Sequence, residues 1–212
     1  MKRWHKIALG VGAGLLLVLL LRRPTAAAVT ASDTSRLTGP LRVLALGDSL
    51  TGNPGYCSGL REAIRATGGS VDCKSLEGEG TRAIYDRLQR VGPGHNVLVV
   101  LAGVNDLASD RSVAHVEKWL DLIYRRAEAM GMAVVAVELT PWAGHYKGRK
   151  LQEETEIING WIRRHPVPHA VISTYDLGDF TGHLFEGFDR GDGLHMTPDG
   201  GRELAMLVIG GI

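Results

Sequence analysis

From residue 41 onward, short apolar runs alternate with stretches whose apolar positions recur every three or four residues. Leu41 to Leu46 (LRVLAL), Val97 to Ala102 (VLVVLA) and Ala133 to Glu138 (AVVAVE) have strand length and few or no polar positions. Val97 to Ala102 in particular lacks the alternation of a sheet with one wet face, so it predicts a strand buried on both sides. Val71 to Leu76 is a weaker strand, and Ala170 to Ser173 is a short last one. Val113, Val116, Leu120, Ile123, Ala127 and Met130 step by three and four and predict the clearest amphipathic helix of the chain. Ile84, Leu88 and Val91 place a helix over Thr81 to Val91, and Leu151, Thr155, Ile158 and Ile162 mark another. Asn53-Pro54 reads as a cap and first position of a helix that ends near Thr67 at Gly68-Gly69. Thr197-Pro198 opens a final helix toward Leu207. Strands separated by helices predict an α/β protein, a three-layer α/β/α sandwich around a mainly parallel sheet of about five strands. Ligands of such sheets sit beyond the carboxyl ends of the strands. The loops after Leu46, Leu76, Ala102 and Glu138 are therefore where chemistry belongs.

The pattern before residue 41 is of another kind. Lys2, Arg3, His5 and Lys6 precede an uncharged apolar run from Ile7 to Leu21, and Ala26-Ala27-Ala28 follows. A basic start, a short apolar run and small residues are the marks of a secretory signal. The run is about fifteen residues, below the ~20 that span a bilayer comfortably. Arg22 and Arg23 directly after it oppose cleavage, so a signal peptide and a retained anchor both stand for residues 1–28. Either implies export, to the periplasm or the outer surface, and an anchor would hold the chain to a membrane through residues 7–21. Residues 29–40 read as a linker, and 41–212 as the folded domain.

Charge and cysteine content narrow the classes. The 24 basic and 23 acidic residues leave a net charge of +1, which argues against a nucleic-acid partner. Cys57 and Cys73 permit one disulfide in an exported chain, or two buried free thiols, and their spacing matches no zinc pattern. Nothing in the sequence calls for a metal or a cofactor.

Four stretches can carry chemistry. Gly47-Asp48-Ser49-Leu50-Thr51 ends the first strand and puts a serine hydroxyl at the ligand edge, before a helix whose N-terminus favours negative charge. Alone, such a serine is as often a turn or cap. Gly78-Glu79-Gly80-Thr81 follows the second strand and can expose a backbone N–H, though a plain turn has the same look. Gly103-Val104-Asn105-Asp106 follows the third strand, where an asparagine amide can donate to an oxyanion or simply cap a helix. Asp192-Gly193-Leu194-His195 precedes the last helix and offers an imidazole with a carboxylate to orient it, the pair a serine nucleophile needs.

Read together, LALGDSLT, LEGEGT, VLAGVND and DGLHMTPDG resemble, in this order, the four blocks of the SGNH, or GDSL-type, hydrolases. The resemblance runs from about Leu41 to the end of the chain. It implies a flavodoxin-like SGNH hydrolase fold, Ser49 as nucleophile, His195 as base and Asp192 as its orienter. It also implies an oxyanion hole of Asn105, Gly78 and the Ser49 N–H. Ser75-Leu76-Glu77 stands where the family often has an asparagine before its glycine, so Gly80 competes with Gly78 for that role. Trp142 and Tyr56 are weaker candidates for lining the substrate site. The activity implied is cleavage of carboxylic esters through an acyl-enzyme on Ser49. The substrate is a small-molecule, glycan or lipid ester, handled by a carbohydrate O-acyl esterase or a lipase- or lysophospholipase-like enzyme. A non-catalytic glycan-binding protein on the same fold and an acyltransferase are the alternatives.

Overall fold

A computed structural model describes residues 39–52 and 55–212. The signal or anchor segment, most of the linker and the expected Asn53-Pro54 cap lie outside the described residues. Five strands form one parallel sheet: β1 (Arg42–Gly47), β2 (Ser70–Ser75), β3 (Val97–Leu101), β4 (Ala133–Val137) and β5 (Ala170–Ile172), in the spatial order β2-β1-β3-β4-β5. All of β3 and β4, and all but the first residue of β1, is buried, as their unbroken apolar character requires. Burying each such Val or Leu contributes about 1.5–3 kcal/mol. The edge strand β2 is only partly buried and carries Asp72 and Lys74, which blunt its open side against pairing with another chain.

The helices are α1 (Cys57–Ala66), α2 (Thr81–Leu88), α3 (Val104–Ala108), α4 (Val113–Ala129), α5 (Gln152–Arg164) and α6 (Pro198–Gly210). α1 packs with α6, while α2, α4 and α5 pack in series. The chain moves one way from β1 to β2 and the other way from β1's neighbour β3 through β5. Right-handed crossovers then put α1 on one face and α2, α4 and α5 on the other, giving three layers.

Two local departures matter for the site. α1 starts at Cys57, because the chain after Ser49 folds back on itself through Thr51 N–H to Asp48 O, Tyr56 N–H to Leu50 O and Cys57 N–H to Thr51 O. The turn leaves no space for a side chain at Gly55, where a Cβ would collide with the Leu50 carbonyl. α3 is a single extra turn after β3 that carries Asn105. Cys57 and Cys73 form a disulfide that ties α1 to β2 across a sequence separation of 16. A link closing a loop of that size contributes about 3 kcal/mol.

Trp142 and Tyr56 are not at the surface. Both are fully buried. The loop after β4 turns inward, the Trp142 indole N–H donates to Thr155 Oγ1 on α5 at 3.0 Å, and the ring joins the core. Tyr56 sits at the N-terminus of α1 within the same core, and burial raises its phenol well above the ordinary value. The Trp142 ring gains from full burial because its indole N–H has a partner, whereas the Tyr56 hydroxyl is buried without a hydrogen-bond partner among the described residues, its ring held by apolar packing alone. Neither side chain lines the substrate site.

Candidate active site

The sheet order reverses between β1 and β3, adjacent strands whose onward connections, to β2 and to β4, run in opposite directions. A crevice opens at such a switch point beyond the carboxyl ends. Ser49 follows β1 and Asn105 follows β3, so both stand at that crevice by topology. Gly47 ends β1 against the next strand; a Cβ there would collide with Thr51 Oγ1 and the Leu101 carbonyl. That close approach aims the serine turn outward.

His195 reaches the same point from the far end of the chain. Its loop is closed by a bridge between Asp189 and Met196 and by Arg190 N–H donating to His195 O at 2.9 Å. Asp189 Oδ1 accepts from Gly191 N at 2.8 Å and Gly193 N at 3.0 Å. Gly193, at φ +72°, packs so closely on Gly144 and His145 that no side chain fits. Thr197 then caps α6 by accepting from Gly200 N at 3.2 Å. The result is a series of contacts. Ser49 Oγ lies 3.0 Å from His195 Nε2, and His195 Nδ1 lies 2.7 Å from Asp192 Oδ2. Asp192 Oδ1 accepts the backbone N–H of His195 at 2.8 Å and of Leu194 at 3.0 Å. A carboxylate only accepts, so the proton sits on Nδ1 and the Nε2 lone pair faces the serine hydroxyl. Burial alone raises the Asp192 carboxyl. The three N–H donors and the imidazole charge outweigh it and hold the group at about 2.

On the opposite wall, Gly78 adopts φ +73° and lines the cleft, whereas Gly80 packs on Asp106, whose Oδ2 accepts from Thr81 N at 2.7 Å. Arg87 fixes this loop to β1 by pairing with Glu79 and donating to Gly47 O at 2.9 Å. Asn105 also lines the cleft. Its amide donates to Asp48 Oδ2 at 2.9 Å and to Glu79 O at 3.2 Å.

Asp48 is the residue the motifs did not single out for itself. It is fully buried beneath the serine, with Leu50 N donating to Oδ1 at 3.0 Å. Burial pushes its carboxyl up to about 6, although Leu50, Asn105 and the His195 charge pull it down. The signal was its place next to Ser49 at a strand end, where neighbouring side chains point to opposite sides. A carboxyl raised in the folded state binds more protons than in the unfolded chain between about pH 4 and 6. Its contribution to stability is therefore present below pH 4 and lost as pH rises to 6, by up to about 3 kcal/mol. Urea midpoints are expected to fall over that window, and Asp48→Asn to flatten the slope.

The cleft has a volume of about 560 Å³. Ser49, Asn105, Gly78, Asp192 and His195 line it together with Glu77, Arg190 and Leu194. Glu77 and Arg190 were not foreseen, although each stands within two residues of a motif position. Among the described residues, no group of three or more His, Cys, Asp or Glu could hold a metal ion.

A parallel α/β/α sandwich with hydroxyl, imidazole and carboxylate in series at its switch point defines a class, the α/β ester hydrolases. The model of the GDSL-like lipase/acylhydrolase family matches residues 45–202, and the chain belongs to that family. It is an ester hydrolase. No curated protein matches the chain significantly. Solved structures share the fold at low identity. A GDSL-like lipase from Bacteroides thetaiotaomicron is 17% identical over 80% of this chain and 85% of its own, with a TM-score of 0.63. An acetyl xylan esterase is 16% identical over 80% and 98%, at 0.65. A psychrotrophic esterase from Pseudoalteromonas, in a form inhibited by monoethylphosphonate, is 15% identical over 80% and 95%, at 0.59.

Proposed function

We propose that the chain is an exported esterase that removes small acyl groups from carbohydrate through an acyl-enzyme on Ser49. The observation that carries the mechanism is the unbroken hydrogen-bonded series from Ser49 through His195 to Asp192. His195 takes the hydroxyl proton as Oγ bonds to the ester carbonyl carbon. The oxyanion is held by the Ser49 and Gly78 N–H groups and by Asn105. Asp48 keeps one Asn105 amide hydrogen, and the other turns from Glu79 O, its longer contact, to the oxyanion. His195 passes its proton to the leaving alcohol oxygen as the C–O bond breaks. Water then attacks the acyl-enzyme with His195 as base, and the acid and free serine are regenerated. Asn105→Ala is expected to lower kcat about 10²–10³-fold with a smaller change in KM.

Two observations support the finer points. Among the described residues lining the cleft, Leu194 is the one aliphatic side chain. A wall of that polarity suits a small acyl group on a polar alcohol better than a long chain. The Cys57–Cys73 disulfide suits an oxidising compartment, where such links persist, and it accords with the basic-apolar start of the sequence. Among the described residues no helix is long and apolar enough to cross a membrane. A series of p-nitrophenyl esters tests the acyl preference. Acetate and propionate are expected to exceed octanoate at least tenfold in kcat/KM. The reverse order would move the assignment to a lipase-like enzyme.

A further inference from the structure

The cleft holds one guanidinium that the mechanism does not use. Arg190 lines it, and its backbone N–H is fastened to the carbonyl of His195 at 2.9 Å, so its position is tied to the base. Arg87, which fixes the Gly78 loop, is by contrast occupied: it pairs with Glu79 and donates to Gly47 O. Among the described residues the Arg190 guanidinium has neither a hydrogen bond nor an ion pair. Asp192, two residues away, spends its oxygens on His195 and Leu194. Glu77, beside Gly78 on the other wall, is also without an ion pair among the described residues.

These two unpaired charges lie on chemically different sides of the reacting ester. The oxyanion faces the Gly78 wall. The leaving alcohol must face His195, which protonates it, and so lies on the Arg190 side. A guanidinium presents a fork of N–H donors that matches the two oxygens of a carboxylate or phosphate. We infer that Arg190 is a specificity-determining residue that binds an anionic group on the alcohol part of the substrate. The natural substrates are then acyl esters of acidic sugars or similar anionic polyols, with Glu77 accepting from hydroxyl groups across the cleft. The inference rests on the esterase reading of this same cleft.

The test compares three acetyl esters: a mono-O-acetylated methyl glucuronoside, its neutral primary amide, and an O-acetylated glucose 6-phosphate. The wild-type enzyme is expected to favour the uronate over the amide about tenfold in kcat/KM, mostly through KM, as one charged hydrogen-bonded contact allows. In 1 M salt the preference is expected to shrink, because the group is exposed. Arg190→Gln is expected to bring the uronate-to-amide ratio near one, and Arg190→Lys to keep part of it. Using a ratio cancels any general change in activity, and labelling of Ser49 by a fluorophosphonate shows that each variant keeps an intact site. The phosphate ester separates the two anions: a preference confined to the uronate assigns a carboxylate, and one confined to the phosphate assigns a phosphorylated polyol. Equal rates on uronate and amide, together with no gain on the phosphate, overturn the inference, as does a preference that survives Arg190→Gln. If p-nitrophenyl acetate is turned over but none of the sugar esters is, the saccharide assignment fails and the esterase reading stands. If no ester is hydrolysed and Ser49 is not labelled, the esterase reading itself fails.

Discussion

Ser49→Ala is expected to lower kcat for p-nitrophenyl acetate by about 10⁵–10⁶-fold, to the level that binding and the oxyanion donors alone support. The size of the effect follows from the chemistry. Without Oγ there is no acyl-enzyme, and His195 is left to direct water into a site shaped for a fixed nucleophile. The fold is expected to survive. Ser49 is half-buried, and His195 is its side chain's hydrogen-bond partner among the described residues. Losing one such neutral contact costs about 1 kcal/mol. Steady-state rates paired with thermal melts check both halves. A large fall in rate with a melting temperature lowered by no more than about 2–4 °C is the expected pair.

Asp192→Asn is expected to have the second largest effect, about 10³–10⁴-fold in kcat. An asparagine can keep the shape of the loop, with its carbonyl oxygen accepting from His195 N and Leu194 N. Its amide then faces Nδ1 as a donor and favours the tautomer that carries its proton on Nε2, where the serine needs a lone pair. The Asp192 side chain is 50% exposed. Water can therefore supply part of the missing acceptor, which places the loss at or below that of a buried triad aspartate. The pH profile separates this from a folding defect. Asp192 is held at about 2, so it stays ionised throughout the working range. The wild-type rate is thus expected to show no limb from this group above about pH 4.

The strands and long helices were legible because burial on both faces leaves an unmistakable mark. Val97–Leu101 and Ala133–Val137 are apolar at every position and proved buried at every position. The five-residue α3 was not legible, since one turn is too short to show a period. The motif residues converge in space because each of the first three lies just past a strand end, and parallel strands deliver all their ends to one edge. Trp142 and Tyr56 failed for a related reason. Sequence places them at that edge but does not say whether a ring turns toward solvent or core, and each turned inward. Asp48 was read past because a carboxylate is ordinarily at the surface. Only coordinates show it buried between Leu50 and Asn105. The cysteine spacing left both thiols and a disulfide open until α1 and β2 were seen to meet.

The most direct measurement is to treat the protein with a fluorophosphonate and locate the adduct by peptide mass spectrometry. One phosphonyl group per chain on Ser49, blocked by prior treatment with phenylmethylsulfonyl fluoride and lost in Ser49→Ala, is the predicted result. A folded wild-type chain that hydrolyses p-nitrophenyl acetate but carries its adduct elsewhere, or carries none, would contradict it.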